Sequence, residues 1–135
     1  MNAQQVFDKV LAHLRKQGVA SMGEDGGGCA YRGQGGRMCA VGCLIPDELY
    51  DPRFEDLGVT AAEEFETDVR SEYHHETFER CRLMRLALGG LISHMQLLME
   101  LQSAHDDELI VGMGHFEYAM RAIARRHKLN YTEVV

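Results

Sequence analysis

The chain has 135 residues, a formal charge of −7 at neutral pH and a hydrophobic fraction of 45%. This length and composition are typical of globular proteins, so we expect residues 1–135 to form a single domain. The negative charge argues against a partner that is bound mainly through its phosphates, and so against direct binding of nucleic acid.

Nothing in the sequence is typical of a membrane or exported protein. Residues 1–17 alternate charged and apolar side chains, unlike a secretory signal, and the most apolar run, 83–101, is interrupted by polar residues. Four cysteines without an export signal are expected to stay reduced. We therefore expect a cytoplasmic protein that does not bind membranes.

The first elements in chain order are a helix and a hairpin. Residues 3–17 place apolar side chains on one helical face, and Gly18 is suited to end that helix. Residues 21–29, "SMGEDGGGC", have the composition of a loop. The arms "CAYR" and "RMCAV" flank the glycine-rich "GQGG", which predicts a small β-hairpin in the N-terminal half of the chain.

The rest of the chain reads as helical. A helical turn is expected at Pro46, and Thr60 with Glu63 predicts a capping box that opens a helix reaching residue 78. Residues 79–105 predict a central helix, in which Gly89-Gly90 marks a kink or a close backbone approach, and 115–128 predict the last helix. The predicted fold class is α+β, predominantly α-helical: a bundle of about four helices with the hairpin.

Three cysteines near the glycine-rich turn are candidate metal ligands. Cys29, Cys39 and Cys43 could hold zinc if Cys81, His74 or His75 supplied a fourth ligand. The paired C-x-x-C knuckles of a zinc ribbon are absent from the sequence, and free cysteine is often simply buried. We therefore expect no cofactor, with zinc as the alternative.

Cys39 is also a candidate nucleophile. It follows Arg37 and could sit where the turn meets a helix, an arrangement that lowers the pKa of a thiol. A Cys–His enzyme would need a histidine brought close by the fold, with His94 and His105 as the candidates. A small packed thiol is the competing interpretation, so the sequence favours a protein that is not an enzyme.

The strongest charge signal is acidic and one-sided. Between residues 55 and 79 the chain has nine acidic residues and a single basic one, Arg70. Such a run forms either a solvated helix face or a negative surface for a basic partner. On the second interpretation, the partner-binding residues would be Glu63, Glu64, Glu66, Asp68, Glu72 and Glu76.

Two segments carry a resemblance to a known group of proteins. "CAYRGQGGRMCAVGCLIPDELYDPRFE" (29–55) and "LLMELQSAHD" (97–106) are similar to a pattern found in small uncharacterised proteins of bacteriophages and their bacterial hosts. The two segments cover under half of the chain, and the acidic stretch between them does not match. The resemblance implies a phage or prophage accessory protein in the host cell, and it brings no activity or catalytic residue with it.

Three functions follow from these observations. The first is non-enzymatic: the protein binds and blocks a host protein complex, for example a nucleic-acid-handling defence system such as the CRISPR machinery. Its partner would be a host or phage protein with a basic surface. The alternative is a metal- or thiol-dependent module centred on Cys29, Cys39 and Cys43. A third is an assembly protein that forms a homo-oligomer through the methionine-rich helix 83–101. We favour the first.

Overall fold

A computed structural model describes residues 1–24, 28–66 and 72–134 of the chain. They belong to two compact units: unit 1 is Met1–Leu44 with Gln96–Val135, and unit 2 is Ile45–Met95. The described residues are mostly helical, which confirms the predicted helical class. Across these ranges no helix has both the length and the apolar character needed to cross a bilayer.

Helix α1 of unit 1 spans Ala3–Gln17, the range that the sequence predicts. It begins with a capping box, because the Asn2 side chain accepts from the Gln5 N–H and the Gln5 side chain accepts from the Asn2 N–H. It ends at Gly18, whose φ of 75° is the left-handed conformation that glycine adopts without strain. Its apolar face is buried and consists of Val6, Phe7, Val10, Leu11 and Leu14.

The predicted β-hairpin is wrong. The glycine-rich turn forms at Gln34–Gly36, but within the described ranges the backbone has no strand, only two isolated antiparallel bridges, Met22–Cys29 and Arg32–Met38. The arm that starts at Cys29 pairs with Met22 at its first residue and with Met38 at Arg32. Because its backbone is shared between two different partners, neither bridge extends into a ladder. The result is a folded loop that is held by single bridges.

Close packing fixes the end of this folded loop. The chain enters a short 3₁₀ helix at Gly42–Leu44, where Cys39, Ala40 and Val41 have no exposed surface. A Cβ atom built on Gly42 would lie 2.1 Å from the carbonyl oxygen of Tyr31. Glycine is therefore required here by the approach of another backbone.

Unit 2 consists of 3₁₀ segments packed on one helix. The segments before the helix are Asp47–Leu49, Pro52–Phe54 and Val59–Glu66, helix α2 spans Glu72–Leu88, and a further 3₁₀ segment follows it. Helix α2 packs against the second and third of them, and Phe54, Ala62 and Met84 are fully buried. The helix predicted to open at Thr60 is 3₁₀ through Glu66, and its continuation over 67–71 lies outside the described residues.

The predicted central helix is divided where the sequence has two glycines. Gly89 has a φ of 53°, which no α-helical residue adopts, and Gly89–His94 forms a 3₁₀ segment. The predicted kink is confirmed. Helix α3 then spans Met95–Ser103, and a π-helical turn, in which hydrogen bonds skip one extra residue, spans Ala104–Leu109.

Helix α4 spans Met113–Arg126 and completes unit 1. It packs on the π-helical turn and on α1, and it buries Phe116, Met120 and Ile123. The predicted four-helix bundle is wrong, because the glycine break separates α2 from α3. The four helices are divided between two units: α2 belongs to unit 2, whereas α1, α4 and all but the first residue of α3 belong to unit 1.

The segment after α4 is tied to unit 1 by polar contacts. The Gln4 side chain exchanges two hydrogen bonds with the Asn130 backbone, at 3.1 and 2.8 Å. The Tyr131 ring is contacted by the guanidinium groups of Arg15 and Arg121, at 5.4 and 5.3 Å from its centroid. Arg15 also forms a two-point ion pair with Glu117, which accepts a third hydrogen bond from the Tyr131 hydroxyl.

Candidate functional site

Unit 1 contains a buried polar network around His105, which lies in the π-helical turn. The His105 side chain has no exposed surface, and its Nε2 accepts a hydrogen bond from the Ser21 backbone N–H at 2.8 Å. A ring nitrogen that accepts carries no proton, so the proton lies on Nδ1 and is donated to Asp106 Oδ1 at 2.7 Å. Both nitrogens of the neutral ring are therefore satisfied.

Gln102 connects this network to the loop that carries the cysteines. Its Nε2 donates to the same Asp106 Oδ1 at 2.9 Å, and its Oε1 accepts from the Val41 N–H at 3.0 Å. One side chain thereby joins α3, the π-helical turn and the buried loop before Gly42. Gln102 and Asp106 are only partly buried, but Gln102 pairs the backbone N–H of the fully buried Val41, so this connection holds the loop to the helix.

Cys29 lies at the half-exposed edge of the same network. Its Sγ, a carboxylate oxygen of Asp106 and a ring nitrogen of His105 lie within 4.8 Å of one another. The Cys29 Sγ also lies 3.9 Å from the Met22 Sδ. Burial, and then the adjacent negative charge of Asp106, raise the pKa of the Cys29 thiol to about 11, so it is protonated at neutral pH.

Cys39 and Cys43 do not join Cys29. The Cys39 Sγ accepts from the Gly42 N–H at 3.3 Å, and the Cys43 thiol donates to the Ala40 carbonyl oxygen at 3.1 Å. Burial raises the pKa of Cys39 to about 12 and that of Cys43 to about 11. A Cys39 nucleophile would need a lowered pKa, whereas burial raises it; both thiols are packed, protonated groups that hold one turn, in agreement with the competing interpretation of Cys39.

The network joins the two segments on which the resemblance to phage-type proteins rests. Cys29 and Val41 belong to "CAYR…CAVGC", whereas Gln102, His105 and Asp106 belong to "LLMELQSAHD". Sequence reasoning named His105 only as a distant partner for Cys39, and it missed Gln102 and Asp106. Their position was the available signal, because they are polar residues in a segment whose other residues have the pattern of a buried helix.

Unit 2 holds all of the net charge of the chain. It contains twelve Asp and Glu against five Arg, which gives −7, whereas unit 1 contains nine acidic and nine basic residues. Arg70 lies outside the described residues, and the other four arginines are bonded within unit 2. Arg53 pairs with Asp51, Arg82 pairs with Glu79, and Arg80 and Arg85 donate to backbone carbonyl oxygens.

Several carboxylates of unit 2 face solvent without a cation. Glu48, Asp56, Glu63 and Glu76 are exposed and form no ion pair with another residue of the described ranges. Asp56 and Glu76 also line an open cleft of about 460 Å³ between the Pro52–Phe54 segment and α2. Two predicted partner-binding residues, Glu63 and Glu76, are thus accessible to a partner.

The other predicted partner-binding residues cannot be placed as side chains. Glu64, Glu66 and Glu72 lie in helical backbone, but their side chains are not among those described. Asp68 lies within 67–71, outside the described residues. The acidic surface of unit 2 is therefore defined here as Glu48, Asp56, Glu63 and Glu76.

Comparison of the chain with protein-family models, with curated proteins and with solved structures gives no match.

Proposed function

We propose that this protein is a non-enzymatic interaction protein whose acidic surface binds a basic surface of a protein partner. The resemblance to phage-type proteins suggests a phage accessory protein that acts in the host cytoplasm. Its target would be a host protein complex that handles nucleic acid, such as a CRISPR defence system, because such complexes carry basic grooves for phosphates. Binding there would block the groove without any chemical reaction.

The observation that carries this proposal is the concentration of the net charge in unit 2. A charge of −7 on one compact unit attracts a basic protein over a distance of about one Debye length, roughly 8–10 Å at physiological salt. Charge complementarity of this kind raises the association rate and selects against acidic partners.

The internal bonds of the arginines strengthen this argument. The printed contacts of the four described arginines of unit 2 go to Asp51, Glu79 and backbone carbonyl oxygens, and none of these contacts involves Glu48, Asp56, Glu63 or Glu76. Glu48, Asp56, Glu63 and Glu76 keep their charge available for a cationic partner. Exposed carboxylates contribute little to the stability of a fold, so folding does not require this number of them.

The test is a charge reversal with a matched control. The first variant combines Glu48→Lys, Asp56→Lys, Glu63→Lys and Glu76→Lys. The control combines four exposed acids of unit 1, Asp8→Lys, Glu24→Lys, Asp107→Lys and Glu133→Lys, and so has the same net charge. Each immobilised protein is incubated with a bacterial lysate at low and at high salt, and the captured proteins are identified and quantified.

We expect a basic protein or complex to be captured by the wild type and by the control, and released by high salt. The unit 2 variant should lose it, while its circular dichroism spectrum stays that of the wild type. Equal capture by all three proteins would contradict the proposal, as would equal loss in both variants, because either result would mean that the position of the charge is irrelevant.

A further inference from the structure

Two sulfur atoms and a carboxylate meet at the half-exposed edge of the network in unit 1. The single bridge between Met22 and Cys29 brings Sδ and Sγ to 3.9 Å, and the same Sγ lies within 4.8 Å of an Asp106 carboxylate oxygen. Met22, Cys29 and Asp106 each retain some exposed surface, so a small ion can reach them from solvent.

These distances are compatible with one bound ion. Metal–sulfur bonds are about 2.3 Å long, so two sulfur ligands of one ion lie at most about 4.6 Å apart. The Sγ–Sδ separation of 3.9 Å satisfies that limit without any movement of the loop. A carboxylate oxygen of Asp106, within 4.8 Å of the same Sγ, offers a third ligand atom.

The hydrogen bonds of the network leave these ligand atoms available. His105 uses both ring nitrogens, Nε2 for the Ser21 N–H and Nδ1 for Asp106, so we do not count it as a ligand. The hydrogen bonds that Asp106 accepts from His105 and Gln102 both end on Oδ1, so Oδ2 takes part in neither of them. The two bonds also hold the carboxylate in a fixed orientation.

We propose that Met22 Sδ, Cys29 Sγ and a carboxylate oxygen of Asp106 bind one Cu(I) ion. Thiolate and thioether are soft ligands, and a thioether in particular favours Cu(I) over zinc, which prefers thiolate, imidazole and carboxylate. On binding, the S–H bond of Cys29 is replaced by an S–Cu bond and the proton leaves to solvent. The single positive charge of the ion is balanced by the thiolate, beside the carboxylate of Asp106.

The test is an anaerobic titration of the reduced chain with Cu(I), in competition with a chromogenic Cu(I) chelator. Two ligand variants, Met22→Leu and Cys29→Ser, are compared with two controls, Met99→Leu and Cys81→Ser. Met99 is an exposed methionine of unit 1, and Cys81 is a thiol of unit 2, so each control removes the same kind of sulfur elsewhere.

We expect one Cu(I) per chain in the wild type and in both controls. Cys29→Ser should weaken binding at least about 100-fold and Met22→Leu about tenfold, because loss of a direct ligand costs no less than loss of its supporting contacts. A circular dichroism spectrum taken for each variant confirms that it is folded.

Three results would overturn the proposal. The first is equal weakening by Cys29→Ser and Cys81→Ser, which would indicate adventitious binding to thiols. The second is unchanged affinity in folded Met22→Leu, which would remove the thioether from the site. The third is displacement of Cu(I) by equimolar Zn²⁺, which would show that the site is not soft.

Discussion

Units 1 and 2 place their charged side chains in opposite ways. In unit 1 the Arg15–Glu117 and Arg126–Glu100 pairs join residues 102 and 26 positions apart, and Arg121 pairs with Glu133 across 12 positions. In unit 2 the pairs of Arg53 with Asp51 and of Arg82 with Glu79 are local, two and three positions apart. Unit 1 is electrically balanced, while unit 2 carries the −7.

This difference separates charge that specifies a fold from charge that is available to a partner. Pairs between distant residues restrict which elements can pack together, so they contribute to the fold of unit 1. Local pairs in unit 2 add little to its fold and leave the neighbouring carboxylates exposed. Substitutions in the two units should therefore have unequal effects on stability, and four variants test this.

The largest loss of stability is expected for Gly42→Ala in unit 1. The added Cβ would lie 2.1 Å from the Tyr31 carbonyl oxygen, a backbone atom that cannot move without shifting the loop. We expect the free energy of unfolding, measured by urea denaturation, to fall by about 3 kcal/mol. The control is Gly90→Ala in unit 2, where no atom beyond the neighbouring residues lies within 4 Å of the added Cβ. The free energy of unfolding of this variant should equal or exceed that of the wild type.

The next effect is expected for His105→Leu, which tests the buried network. Leucine fills similar space but leaves the Ser21 N–H without its acceptor and removes one donor to Asp106. The expected loss is about 2 kcal/mol in the same denaturation experiment. His115→Leu changes an exposed histidine of the same unit and should cost nothing measurable; equal losses in both variants would deny the network a structural role.

A smaller, pH-dependent effect is expected for Glu117→Gln. Burial opposes ionisation of Glu117, but hydrogen bonds from Arg15 and Tyr131 outweigh it and lower its pKa. A lowered pKa stabilises the folded state above the ordinary pKa of glutamate, about 4.3, and this stabilisation is lost as the pH falls through the folded pKa. At pH 7 the free energy of unfolding of the variant should be about 1–2 kcal/mol below that of the wild type. This difference should not increase in acid.

Thermal denaturation of wild type and Glu117→Gln at neutral and acidic pH measures this effect. The difference between the two midpoints should shrink as the pH is lowered. A difference that is constant with pH would show that the carboxylate of Glu117 contributes through packing and not through its charge. Glu63→Gln, which changes an exposed carboxylate of unit 2, is the control and should follow the wild type at both pH values.

The smallest effect is expected for Arg82→Ala in unit 2. Arg82 and Glu79 form an exposed ion pair one helical turn apart on α2, and solvent screens such pairs. The thermal midpoint should stay within experimental error of the wild type, at low salt and at high salt. A large decrease in the thermal midpoint would mean that local ion pairs stabilise the fold of unit 2. It would contradict the proposed difference between the two units.

The sequence predicted best where local signals decide the structure. Helix α1 has an apolar face, a capping residue and a terminal glycine, and its predicted bounds agree with Ala3–Gln17. The last helix was placed within two residues at each end, and the kink at Gly89-Gly90 is present. All three features depend on residues within a few positions of one another, which is the information that sequence periodicity carries.

The prediction failed where distant residues decide. The hairpin needed Cys29 and its neighbours to pair along one strand, but Met22 competes for that backbone, and no local pattern reveals this competition. The network around His105 was missed because Ser21 and Val41 reach it across more than 60 positions. The acidic run can be read directly from the sequence. The equal number of acidic and basic residues in unit 1 cannot, because it depends on the two segments of the chain that form this unit.

In the π-helical turn at Ala104–Leu109, the number of residues matters as much as their identity. A π turn contains one residue more than the α-helical turn that would replace it. Deleting a single residue, such as the exposed Asp107, would leave one residue too few for this wider turn between the buried His105 and Leu109. The turn would have to tighten, and the buried residues on both sides of the deletion would have to adjust together. Insertions and deletions should therefore be tolerated far less here than substitutions at the same exposed positions.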